Sequence, residues 1–241
     1  MPTKKKTAEK RPRTKAPAKP FKYKFDPRFD WWNSNHIANF HTLKEMYAGR
    51  NGLKFLEIGI FEGRSTVWFL DNCLTGLACQ MHCIDPDEQK NTRHNFSKHE
   101  ERVHWYQDRS HRTLPVLYSS GRRFDFIYID GDHHGKTMLE DIVLSWRLLK
   151  VGGILLIDDY EMESNDPWFF ICHEEFIKHP RLHFLHPRVA IDAFRNIYRG
   201  MFEVVFDNYQ FGVRKTVELG GKNLVHGDDE QPADFSYLEA R

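Results

Sequence analysis

No stretch of the sequence approaches the ~20 consecutive apolar residues that a membrane-spanning helix needs, and no apolar core follows Met1 as a secretory signal would require. The reading is therefore a soluble protein without a membrane partner. Cysteine is scarce: Cys73, Cys79, Cys83 and Cys172 are the only four in 241 residues, and none form a CxxC pair. That excludes a disulfide scaffold and the usual zinc spacings, and it predicts buried free thiols in a reducing, cytoplasmic setting. No internal repeat and no G-x-G-x-x-G run occur. An excess of one charge is missing too, since 35 Lys and Arg face 34 Asp and Glu for a net +1. The balance hides an asymmetry. Residues 1–20 hold six Lys, two Arg, one Glu and, after Met1, no apolar side chain larger than alanine. They cannot offset the entropy of ordering and read as a disordered basic tail: a nuclear address, a grip on nucleic acid, or a solubilising leader. The body that follows is mildly acidic.

What is present is aromatic: 19 Phe, and 14% Phe, Trp and Tyr overall. This supplies a core for one substantial domain plus the tail. Residues 21–52 read as an N-terminal helical cap segment. In it an aromatic stretch packs on the body, and a helix over 35–47 carries an apolar stripe of Ile37, Phe40, Leu43 and Met46. Strands are then predicted at 53–60, 78–84, 103–106, 124–129 and 154–157, alternating with helices at 64–70, 88–96, 112–118 and 136–149. Gly152-Gly153 marks a turn into the last of these strands. Such alternation implies an α/β fold with a parallel sheet covered on both faces. A helix at 189–198 and a hairpin of 202–206 and 210–216 complete a domain spanning 53–218. Residues 161–187 read as an insertion on the substrate side, and residues 219–241 as a loose C-terminal segment.

Three strand ends carry polar chemistry. The first, LKFLEIGIFEGRST, places Glu57 near the strand end, Gly59 and Gly63 in the turn and Ser65 at the helix start. Glycines there let a ligand approach the backbone, and a helix N-terminus favours an anionic group. Phe61 stands where a dinucleotide-binding turn would have glycine, which argues against that ligand. The second, CIDPDE, ends in Asp85, placed to take ribose hydroxyls or, as the plainer reading, to cap the turn before Pro86. A third strand leads to Gln107-Asp108-Arg109-Ser110, polar groups that could read a nucleobase edge. The strands FDFIYIDGDHH and ILLIDDY end in Asp130 and Asp132, and in Asp158 and Asp159. If these strands are neighbours, their carboxylates converge, which is costly unless they meet a metal or a polyhydroxylated ligand.

Together EIGIFEGRST, CIDPDE, FDFIYIDGDHH, LLKVGGILLIDDY and FDNYQFGVRK resemble the class I S-adenosylmethionine-dependent methyltransferases over about residues 54–216. Within these, the chain is most similar to small metal-dependent O-methyltransferases of the cephalosporin-biosynthesis, macrolide-sugar and catechol types. The resemblance implies a Rossmann-like sheet of seven strands, the last antiparallel, with helices on both faces. It assigns S-adenosyl-L-methionine to Glu57, Gly59, Gly63, Ser65, Asp85, Asp108 and Ser110, and a divalent cation such as Mg²⁺ to Asp130, Asp158 and Asp159. His133, three positions after Asp130 where catechol-type enzymes place lysine, becomes the general base, with His134 as its backup; a helix-capping role for His133 is the plainer alternative. The acceptor implied is a hydroxyl of a small molecule, sugar or glycan. The competing reading is a nucleic-acid or protein methyltransferase that uses residues 1–20 to hold a polyanion. It is not favoured, because neither an Asn-Pro-Pro-Tyr nor a Pro-Cys motif is present. A third reading is a scaffold protein with a degenerate fold. Oligomerisation stays open.

Overall fold

A computed structural model describes residues 20–162 and 186–218. The expectations for the basic tail, for nearly all of the insertion and for the C-terminal segment therefore fall outside the described residues. The strands are β1 (Lys54–Ile58), β2 (Gln80–Ile84), β3 (Val103–Tyr106), β4 (Phe124–Ile129), β5 (Leu149–Ile157), β6 (Phe202–Asp207) and β7 (Phe211–Lys215). They form one sheet in the order β3-β2-β1-β4-β5-β7-β6. All pairings from β3 to β5 are parallel, and β7 runs antiparallel between β5 and β6. This is the Rossmann-like arrangement the resemblance implies. The helices are α1 (Ser34–Tyr47), α2 (Arg64–Asn72), α3 (Thr92–Phe96), α4 (Ser110–Ser119), α5 (Gly135–Leu148) and α6 (Pro187–Ile197). None of the described helices is long and apolar enough to cross a membrane.

The apolar runs explain the layers. Side chains alternate across a strand, and β4 sends Ile127 and Ile129 to one face and Phe126 and Tyr128 to the other. The first face packs on Met138, Ile142 and Trp146 of α5 and Phe194 of α6. The second packs on Phe40 and Leu43 of α1 and Val67 and Phe69 of α2. A sheet covered on both sides must be apolar on both, which is why its central strands read as continuous apolar runs.

Three local expectations change. The helix expected over 88–96 is confined to Thr92–Phe96 and continues as a 3-10 turn over Ser97–Arg102. Gly152-Gly153 lies inside β5 rather than before it: the ladder between β4 and β5 shifts register between Phe124 and Phe126, and Gly152 takes φ +82°. That is a bulge, where glycine accommodates the positive φ. In α1 the buried face is His36, Asn39, Phe40, Leu43 and Tyr47, while Ile37 is 48% exposed. Two polar side chains thus occupy a buried face that apolar spacing assigns to Ile37 and Met46.

The segment ahead of α1 is stitched to the body through its backbone. Asn95 accepts from Lys24 N (2.8 Å) and donates to Lys24 O (2.8 Å), and Glu62 accepts from Asp26 N (2.7 Å). Arg64 pairs with Asp30 (2.5 Å) and lies over the Phe25 ring at 4.9 Å. These contacts hold the aromatic stretch along one side of the sheet's C-terminal edge.

Candidate active site

The strand order reverses between β1 and β4, and ligands of open α/β sheets bind beyond the carboxyl ends at such a point. A cavity of about 690 Å³ opens there, within the range of small-molecule sites. The loops after β1, β2, β4 and β5 line it, together with the first turn of α4, His36 of α1 and the aromatics Phe25, Phe29, Trp31 and Trp32.

The β1 turn brings part of the expected cofactor set to the cavity. Gly59, Ser65, Asp85 and Ser110 line it; Glu57, Gly63 and Asp108 do not. Glu57 is fully buried and accepts from the hydroxyls of Ser65 and of Thr66 (2.5 Å for Thr66), so it braces α2 against β1. Burial, moderated by those two hydroxyls, lifts its carboxyl to about 7. Gly63 begins α2 at φ +79°, where a Cβ would strike the Phe96 ring at 2.4 Å. A Cβ on Gly59 would lie 1.9 Å from the carbonyl oxygen of Asp130. Contacts within the protein therefore already require glycine at both positions, and Gly59 also lines the cavity. Asp85 accepts from Ile60 N (2.9 Å) and Phe61 N (3.2 Å) with one oxygen and from Asp87 N (2.9 Å) with the other. It shapes the β1 turn and caps its own, and its side chain still borders the cavity. Asp108 instead pairs with Arg112 at 3.5 Å on the surface, whereas Ser110 is buried and hydrogen-bonds to Asp141 of α5.

The carboxylates after β4 and β5 do converge. Asp158 accepts from the Tyr128 hydroxyl, from His36 Nε2 (3.0 Å) and, with its other oxygen, from Asp159 N (2.9 Å). Asp159, at φ +61° in the left-handed region that Asp tolerates, accepts from the Tyr209 hydroxyl (2.9 Å). Its other oxygen is buried, lies 2.8 Å from His133 Nε2 and accepts no well-aligned hydrogen bond. Asp130 lies 3.2 Å from the Tyr128 hydroxyl. Asp132 joins His134, which occupies the N-cap of α5.

Each group titrates according to its neighbours. Burial, then the charges of Asp158, Asp159 and Glu57, holds the Asp130 carboxyl well above the usual carboxylate range. Burial would raise Asp159 as well, but the imidazole of His133 and the Tyr209 hydroxyl outweigh it and keep Asp159 low. His133 and His36 rise because the facing carboxylates outweigh the burial that would depress them.

Asp130, His133 and Asp159 each present one ligand atom, and these atoms all lie within 4.8 Å of one another. Two carboxylates and an imidazole suit a divalent cation, and the buried oxygen of Asp159 has acceptor capacity to spare. The grouping differs from the expected Asp130, Asp158 and Asp159: His133 stands in it in place of Asp158, both of whose oxygens accept hydrogen bonds. His36, Tyr128 and Tyr209 were missed by sequence reasoning. The available signals were the polar positions His36 and Asn39 at helical spacing and an aromatic residue inside the Asp207-Asn208-Tyr209 turn.

Comparison with known proteins places these features. Residues 56–160 match the family described as a methyltransferase domain. An uncharacterized protein of Acanthamoeba polyphaga mimivirus is 28% identical over 132 residues, which cover 51% of this chain and 59% of the relative. The chain thus spans about three-fifths of the length of that curated relative. Among solved structures, the MycE methyltransferase of the mycinamycin biosynthetic pathway, in complex with Mg, SAH and mycinamycin VI, is similar with a TM-score of 0.55 at 14% identity. That likeness covers 79% of this chain and 51% of MycE. An SAH-bound methyltransferase of Podospora anserina has a TM-score of 0.54 at 17% identity, covering 80% and 83% of the two chains. At these identities the likeness concerns the fold.

Proposed function

We propose that this chain, whose residues 56–160 match a methyltransferase domain, is a class I S-adenosylmethionine-dependent enzyme that O-methylates a neutral polyhydroxylated small molecule or sugar with the help of a divalent cation. The observation that carries the reading is the meeting of Asp130, Asp159 and His133 in the same cavity as the β1 turn and Asp85. S-adenosylmethionine bound over that turn would supply an electrophilic methyl group. Asp85 would face its ribose, Ser110 its nucleobase, and the uncapped start of α2 its amino-acid carboxylate.

Asp130 and Asp159 would hold the cation. A cation held there would supply Lewis-acid chemistry, lowering the pKa of a substrate hydroxyl. As general base His133 would accept the hydroxyl proton at Nδ1, because its Nε2 faces Asp159 at 2.8 Å, and that carboxylate would orient the ring and stabilise the imidazolium that results. The ring cannot ligate a cation and take a proton with the same nitrogen, so its membership of the cation grouping favours a second reading, in which His133 is a ligand. Methyl transfer needs alignment and exclusion of water more than it needs further groups. The aromatic wall of Phe29, Trp31, Trp32 and Phe61 supports both.

The same cavity argues about the acceptor. Among the described residues, nine carboxylates line it (Asp30, Glu62, Asp85, Asp87, Asp130, Asp132, Asp141, Asp158 and Asp159) against two arginines, Arg64 and Arg109. Such a lining repels a phosphate backbone, which disfavours a nucleic-acid substrate, and offers acceptors to hydroxyls and amines. MycE, whose structure includes a macrolide, supports a small-molecule acceptor. The test is label transfer from methyl-labelled S-adenosylmethionine, with Mg²⁺, to a panel of polyols and glycosides and to RNA. O-methyl products that disappear with chelator and in His133→Asn support the reading; label on RNA alone, or none anywhere, sinks it.

A further inference from the structure

Positive charge is scarce in the cavity. Among the described residues, only Arg64 and Arg109 bring a permanent cation to its acidic lining. The imidazoles of His36 and His133 already face Asp158 and Asp159. A ligand that carries a carboxylate is therefore best met by one of the two arginines, since elsewhere its charge would be desolvated among like charges. The two stand apart in the sheet. Arg64 opens α2 directly after the β1 turn, whereas Arg109 precedes α4 after β3, and β2 with Asp85 lies between them.

Arg64 is prepared for such a partner. Its guanidinium lies over the rings of Phe25 at 4.9 Å and Trp32 at 5.9 Å. Nη1 donates to Asp30 (2.5 Å), and among the described residues Nε and Nη2 have no acceptor. Those two nitrogens form the edge of the fork that holds a carboxylate with two parallel hydrogen bonds. Asp30 thus shares the guanidinium without exhausting it, and the side chain is 26% exposed. Arg109, by contrast, is exposed.

We infer that Arg64 is a cofactor-binding residue that takes the α-carboxylate of S-adenosylmethionine through Nε and Nη2. The inference rests on the cofactor reading proposed above and adds a residue that reading leaves out. The succession of strands then matches the ligand: the amino-acid carboxylate at Arg64 after β1, the ribose at Asp85 after β2 and the nucleobase at Ser110 after β3. Phe25, Asp30 and Trp32, which flank the guanidinium, precede the matched residues 56–160. The strap ahead of α1 is thereby a wall of the carboxylate pocket.

The probes are SAH and its decarboxylated analogue, which keeps the amine and the thioether, each titrated calorimetrically into the full chain. The unmodified chain should bind SAH at least about tenfold more tightly than the analogue. Arg64→Met should weaken SAH at least about tenfold and leave the analogue within about twofold, so that the preference vanishes. Arg64→Lys keeps the charge without the fork and should retain part of the preference. Arg109→Met should leave it whole. An Arg64→Met chain that weakens both ligands alike, or neither, overturns the inference, and so does a preference lost in Arg109→Met instead. Should Arg64→Met fail to fold, Arg64→Lys decides: a reduced preference upholds the role, and an unchanged one refutes it. An unmodified chain that binds both ligands equally refutes Arg64 alone, whereas one that binds neither sinks the cofactor reading and the inference with it.

Discussion

His82 should be the group that limits stability in mild acid. It is fully buried on β2, paired in register with His104 of β3 and stacked on that ring at 4.6 Å. Its Nδ1 lies 3.0 Å from the Tyr106 hydroxyl, while its Nε2 and that of His104 are buried with no hydrogen-bond partner. Burial, then the neighbouring His104, Arg122 and Lys54, pushes its pKa down to about 3. In the unfolded chain the pKa is near 6.5, so below that pH the unfolded state binds a proton that the native state refuses. Stability therefore falls as pH drops from 6.5 toward 3. The slope is about 1.4 kcal/mol per pH unit, or about 2 kcal/mol by pH 5.0 relative to pH 7.5. The perturbation is His82→Phe, which keeps a ring in the stack. Urea unfolding at pH 7.5 and 5.0 gives the change in stability with pH for each chain, and comparing those changes cancels every other titrating group. The variant should lose about 2 kcal/mol less than the parent over this interval. Equal losses in the two chains would refute the reasoning, because they would mean that His82 already carries its proton in the native stack.

Glu57, lifted to about 7 by burial, holds a proton in the native state that the unfolded chain releases near 4.5, so its contribution to stability shrinks as pH rises through 7. Glu57→Gln should therefore gain up to about 3 kcal/mol at pH 8 relative to pH 5 in urea unfolding. Lys215 is fully buried, donates to Trp146 O (2.9 Å) and Leu149 O (3.0 Å), and lies over the Trp146 ring at 5.0 Å. Lys215→Met strands two carbonyls at the end of α5 and should cost about 3 kcal/mol; a loss below about 1 kcal/mol in chemical denaturation contradicts the capping role. Gly59→Ala forces a Cβ onto the Asp130 carbonyl at φ +82°. It should destabilise the chain by more than about 3 kcal/mol and abolish SAH binding measured by calorimetry.

The sheet was legible because its central strands are apolar on both faces, and runs such as FDFIYI and ILLI leave no other place to go. The short α3 was not, because EQKNTRHNF has no apolar stripe to mark where a helix begins. The acidic cluster was legible as a set of strand ends, since parallel neighbours must bring Asp130, Asp158 and Asp159 together. What it did not reveal was how each carboxylate is spent. Glu57 resembled a ligand residue at a strand end, yet strand parity turns it beneath α2, toward Ser65 and Thr66. Gly59 resembled a ligand-approach glycine, and its crowding neighbour is the carbonyl of a residue 71 positions away. His36 was hidden for the opposite reason: a polar residue on a helix reads as solvent-facing unless its partner is known. That partner, Asp158, lies 122 positions further on.

These partners also decide what state the site waits in. Asp159 keeps its charge because His133 and the Tyr209 hydroxyl face it, and Asp158 is held among Tyr128, His36 and the Asp159 amide. Asp130 has the Tyr128 hydroxyl to oppose burial and the charges of Asp158, Asp159 and Glu57, and its carboxyl stays well above the ordinary range. A divalent cation reverses that balance, since a ligating carboxylate must be ionised. Cation uptake should therefore release protons, a release that Asp130→Asn reduces and Asp158→Asn leaves in place. Calorimetric titrations of Mg²⁺ in buffers of different ionisation enthalpy measure it directly. Proton release undiminished in Asp130→Asn would show that the proton leaves from His133, and that the imidazole, not Asp130, is the group the cation displaces.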